Sequence, residues 1–124
     1  MKNWKVFVLV RVVEERLRGV PVIFLSGDFK ASDTQAFHHT VFDFADRVAD
    51  DGLIIDVTNL TWACSGTLRV LALVQRKLSV LGARLIVTGM SGPVREVFDL
   101  CKLSGLIETR ACPRKAALEL QRPS

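Results

Sequence analysis

Residues 53–82 read LIIDVTNLTWACSGTLRVLALVQRKLSVLG, and the change of period inside this stretch decides the fold. Leu53-Ile-Ile-Asp-Val57 is an apolar, β-branched run of strand length. From Ser65 the pattern lengthens: Leu68, Leu71, Val74 and Leu78 recur at helical spacing, and Gly82 closes the segment. A buried strand followed by an apolar helix is half of a β-α-β unit, which calls for a parallel sheet with right-handed crossovers.

The same alternation continues on both sides. Upstream, Val6 to Val13 and Val20-Pro-Val-Ile-Phe-Leu25 read as two strands of a hairpin, joined by the polar Glu14-Glu-Arg-Leu-Arg-Gly19. Phe37, Val41, Phe44, Ala45 and Val48 then share a helical face, with Ser32 or Asp33 placed to cap its start. Downstream, Arg84 to Thr88 is a strand, Ser91-Gly-Pro-Val94 opens a helix, and Leu106 to Thr109 is a short edge strand. A last helix runs from Pro113 to Leu120. The expected architecture is a single α/β domain over residues 1–121: a mixed, mostly parallel sheet of about five strands, with sequential β-α units and the helices on one face. Residues 122–124 read as a loose C-terminal tail.

Composition bounds the function. The 124 residues are 49% hydrophobic and 24% charged, a globular balance with enough apolar mass for one core. Three cysteines, at 64, 101 and 112, fit neither a disulfide framework nor a metal site, so a reducing, cytoplasmic setting without metal or cofactor is expected. The N-terminal apolar run, Val6 to Val10, is cut by Arg11 and is too short to cross a bilayer. A net charge of +4 raises nucleic acid as a partner, but the cations form no run and no aromatics interleave with them. Nucleic acid is therefore not expected.

Ligands and partners of parallel sheets meet the loops beyond the strands' carboxyl ends. Here those loops are Gly27 to Lys30, Thr61 to Ser65 and Gly89 to Gly92. Helical spacing from Ser65 aligns Ser65, Arg69, Ala72, Arg76 and Ser79 on one stripe, and no Asp or Glu occurs from Gly66 through Gly92. Four readings compete for WACSGTLRV, residues 62–70. Ser65 can simply cap the helix, with Cys64 filling space beside it. Cys64 and Arg69 are one residue too close for a Cys-x5-Arg phosphatase loop; they match Cys-x4-Arg, which keeps a small thiol enzyme open as an alternative. A serine hydrolase lacks both the nucleophile-elbow glycine and a suitable histidine, because the adjacent His38 and His39 diverge around a helix. The fourth reading makes Ser65 a phosphate acceptor, or the helix start a docking point.

The order of elements, the Leu25-Ser-Gly27 strand end, the Ile55-Asp-Val-Thr-Asn-Leu-Thr-Trp62 run and the whole of Leu81 to Ile107 resemble the STAS domain family, which includes bacterial anti-sigma factor antagonists. The resemblance covers nearly all of the chain. It implies a non-catalytic interaction module whose partner is an anti-sigma factor or serine switch kinase, with an Asp-Ser-Ser/Thr-Gly-Leu motif at the start of the second helix. Matching Leu60 to Leu68 puts Cys64 at the aspartate, Ser65 at the phosphorylated serine, Gly66 at the second hydroxyl residue and Thr67 at the glycine; Lys30 stands at a second acidic position. The partner-binding surface expected from this match is Phe29, Lys30, Cys64, Ser65, Gly66, Thr67, Arg69, Arg76 and Ser91. A STAS subunit on an ABC-type transporter ATPase is the alternative binding role, and a homodimer through the exposed sheet edge or face stays open.

Overall fold

The computed structural model describes residues 3–7, 10–48 and 52–121. Six strands form one sheet in chain order: β1 (Asn3–Phe7), β2 (Val10–Leu17), β3 (Val20–Phe29), β4 (Leu53–Ala63), β5 (Leu85–Thr88) and β6 (Glu108–Arg110). After a single 3-10 turn at Ala31–Asp33, α1 (Thr34–Val48) leads to β4; α2 (Ser65–Val80) joins β4 to β5, and α3 (Gly92–Leu100) joins β5 to β6. The last element is α4 (Pro113–Leu120). The pairs β1–β2 and β2–β3 are antiparallel, and every later pairing is parallel. This is the single α/β domain with a mixed sheet that the period changes predict.

Three details differ from expectation. The Val6 to Val13 run is divided between β1 and β2, which adds a sixth strand; Val8 and Leu9 lie outside the described residues. The polar Glu14 to Leu17 segment continues β2 instead of forming the connection, and the turn is Arg18-Gly19 alone. Both residues have positive φ, 53° and 84°, the conformation a two-residue hairpin needs to follow the twist of its strands.

Helix placement is the third difference. Ile23, Leu25, Leu53, Ile55, Val57, Leu85 and Val87 face one way, into a core completed by Phe37, Val41, Leu68, Leu71, Leu78 and Phe98 of α1, α2 and α3. The alternate residues Val20, Val22, Ile54 and Ile86 face the other way, under Ala116 and Ala117 of α4. The helices are thus not all on one face. β4 and β5 are apolar on both sides and need cover on both, as central parallel strands do. The handedness rule holds crossover helices to one face, and α4 crosses over nothing.

The tail at residues 122–124 lies outside the described residues. Among those described, no helix is long and apolar enough to cross a membrane.

Candidate functional site

β3 and β4 extend together past their expected ends and deliver Lys30 and Cys64 side by side. Asp28 pairs with Trp62 and Phe29 with Ala63, and the Cys64 amide then donates to the Phe29 carbonyl at 3.1 Å. On the β3 side the Lys30 amide donates to Asp33 Oδ2 at 2.9 Å, which fixes the turn into α1. On the β4 side Cys64 is the extended residue before α2, and its carbonyl accepts the first helical bond, from Leu68 N–H at 3.1 Å. Cys64, not Ser65, therefore occupies the cap position, and Ser65 begins the helix proper.

Three side chains lock this junction. Thr67 Oγ1 lies 3.2 Å from Cys64 Sγ and 3.2 Å from Thr34 Oγ1, and Thr34 Oγ1 lies 3.7 Å from the same sulfur. Burial pushes the Cys64 thiol up, but hydrogen bonds from Thr67, Thr34 and the Gly66 amide outweigh it and hold the thiol below its ordinary value. Cys64 is half-buried and Ser65 beside it is exposed. Gly66 is not conformationally required: a Cβ there would meet Thr34 Oγ1 at 3.5 Å, an ordinary contact.

The expected site residues separate into three groups. Lys30, Ser65, Arg69 and Arg76 are exposed, with Cys64 and Gly66 half-buried between them. Phe29 and Thr67 belong to the interior instead, 0% and 2% exposed, and offer nothing to a partner at this surface. Phe29 packs edge-on against Phe37 at 5.0 Å between ring centroids, and Thr67 is held in the hydroxyl–thiol triangle. Ser91 is exposed at the start of α3, but it lines a separate hollow of about 510 Å³ with Thr58, Gly89, Arg95, Thr109 and Arg110; Lys30, Cys64, Ser65 and Arg69 are not part of that lining.

One polar feature escaped the sequence reading. The buried Asp56 carboxylate accepts the Thr88 hydroxyl at 2.7 Å, the Thr58 hydroxyl at 3.0 Å and the Thr58 amide at 3.2 Å. It braces β4 against β5 below the carboxyl edge. A charged residue inside an otherwise apolar strand run was the available signal, since such a group persists only when hydrogen-bonded.

The enzyme-like readings of Cys64 need a loop whose amides wrap the thiolate before the arginine arrives. Residues 65–69 are instead the first turn of a regular helix. His38 is stacked on Phe42 at 4.2 Å and His39 is exposed on α1; neither hydrogen-bonds Cys64. Among the described residues, no three His, Cys, Asp or Glu side chains are grouped to hold a metal ion.

The STAS domain model matches residues 11–116, and the chain belongs to that family. No curated protein matches it in sequence. Solved structures share its fold. An anti-sigma factor antagonist from Mycobacterium paratuberculosis is 20% identical with a TM-score of 0.79, over 91% of this chain and 95% of that one. The anti-sigma factor antagonist SpoIIAA in its unphosphorylated form is 20% identical with a TM-score of 0.74, over 89% and 96%. A variant of Moorella thermoacetica RsbS is 21% identical with a TM-score of 0.73, over 89% and 94%.

Proposed function

We propose that this protein is a protein–protein interaction module of the anti-sigma factor antagonist kind, docking an anti-sigma factor or serine switch kinase through Lys30, Ser65 and the exposed face of α2. The observation that carries the reading is that Ser65 is exposed at the first helical position of α2, on the carboxyl edge of the sheet. A modifying enzyme and a partner both need that access.

Phosphorylation of Ser65 fits the local physics. A phosphate brings about −1.5 to −2 charges, and a helix start with an arginine one turn on accommodates them without unfolding. Such a switch acts by changing what the surface attracts, not by refolding the domain. Incubation with candidate serine kinases, followed by phosphate-affinity gels and peptide mass spectrometry, is expected to place the modification on Ser65 and to spare Ser65→Ala. Modification elsewhere, or none, together with partner binding indifferent to Ser65→Asp, would remove the switch and leave docking alone.

A further inference from the structure

We propose that the face of α2 bearing Arg69, Leu73 and Arg76 receives an acidic amphipathic helix of the partner. The inference rests on the docking role above and specifies its chemistry.

Four observations carry it. First, Lys30, Arg69 and Arg76 are exposed and make no ion pair among the described residues. Lys77, next along the helix, is by contrast held by Asp46 at 2.6 Å and lies over the Phe42 ring. Second, no carboxylate residue occurs between Gly66 and Gly92 to neutralise this face. Asp28, at the edge of the region, is half-buried and accepts the Thr61 hydroxyl. Third, the surface is not purely charged: Leu73 is 46% exposed between the arginines, and Trp62 is 44% exposed at the end of β4. Fourth, Arg69 and Arg76 stand seven residues apart on one face, about 10.5 Å along the axis. A facing helix with carboxylates two turns apart and an apolar side chain between them meets both arginines and covers Leu73.

Lys30, Arg69 and Arg76 together with Asp28 give the face a formal +2, and a phosphate of about −1.5 to −2 lowers it to roughly 0 to +0.5. A nucleic acid strand is less well matched, because its affinity grows with the number of phosphates neutralised and only three cations are set around two apolar side chains.

The test uses the whole chain, isotope-labelled, titrated with a helical peptide of about 18 residues carrying Glu seven residues apart with Leu between. Parallel arms use the Glu→Gln peptide, the Glu→Lys peptide and a single-stranded oligonucleotide. Perturbed resonances are expected at Lys30, Ser65, Arg69, Leu73 and Arg76, with the Glu peptide binding most tightly and more weakly as salt rises. Arg69→Gln, Arg76→Gln and Ser65→Asp should each weaken it about 2- to 5-fold, as rim ion pairs do, with Ser65→Ala unchanged. If all three peptides bind this face equally, the docking role survives and the acidic chemistry is wrong. If the Glu peptide binds elsewhere, the docking face itself is wrong. Tighter binding of the oligonucleotide, or Arg69→Gln and Arg76→Gln without effect, overturns the proposal.

Discussion

Cys64 draws its chemistry from its place at the start of α2. The hydrogen bonds that hold its thiol below the ordinary value come from a helix start and two threonines, not from a catalytic partner. A lowered value means more thiolate near neutrality, so the pH profile of Cys64 alkylation, followed by site-resolved mass spectrometry, is expected to have its midpoint below that of a free cysteine peptide. Thr67→Val should move the midpoint back up. Gly89 is a second single-residue constraint: its φ is +76°, and an added Cβ would collide with the Thr58 hydroxyl, which Asp56 holds in place. Gly89→Ala should cost about 3 kcal/mol in chemical denaturation, the sum of backbone strain and overpacking. Sequence alone placed Ser65, Lys30, Arg69 and Arg76 at the surface, because helical period and turn position decide those. It misplaced Phe29, because the register of β3 against β4 shifts twice, between Phe24 and Ser26 and between Gly27 and Asp28, and alternation cannot be counted through such irregularities. Thr67 was placed on the surface because the partner that holds it inward, Thr34, is 33 residues away.

Among the elements, the helices were legible nearly to their ends, since apolar period, Pro at the start of α3 and α4, and Gly82 after α2 are local signals. Strands were legible only where they are apolar. Thr58 to Trp62 extends β4 despite its polarity because β3 lies alongside to pair with it, and pairing is not a local property. β6 and α4 are joined by charge: Glu119 accepts from Arg110 at 2.5 and 2.8 Å, and Glu108 from Arg84 at 2.6 and 3.0 Å. These bonds, with Arg110 the main cause for Glu119 and Arg84 for Glu108, hold both carboxyls below their ordinary range. A depressed acid stabilises the fold above its unfolded value and loses that contribution as pH falls through the folded one. Glu119→Gln should therefore lower stability by about 0.5–1 kcal/mol near neutral pH, a figure kept small by solvent exposure. The difference from the parent should shrink to nothing under acid conditions, read as melting temperature against pH.

For the molecule as a whole, two apolar layers share one sheet, and α4 alone among the described helices covers the second. Ala117 is fully buried there while its neighbour Leu118 is 48% exposed. Ala117→Asp places a carboxylate among Val20, Val22, Ile54 and Ile86 and should cost about 3–5 kcal/mol in urea titration, whereas Leu118→Asp should stay within about 0.5 kcal/mol. The end of α4 is also tied to the β2–β3 hairpin: Arg18 Nε donates to Gln121 Oε1 at 2.9 Å, and the Gln121 amide donates back to the Arg18 carbonyl. That clasp sits at the amino end of β3, and the ten residues of β3 carry the chain about 30 Å from it to Lys30. A dye or resin linked at residue 121 thus hangs from the pole opposite Ser65, so surface-immobilised copies present the serine to solution while the tether stays out of a binder's way.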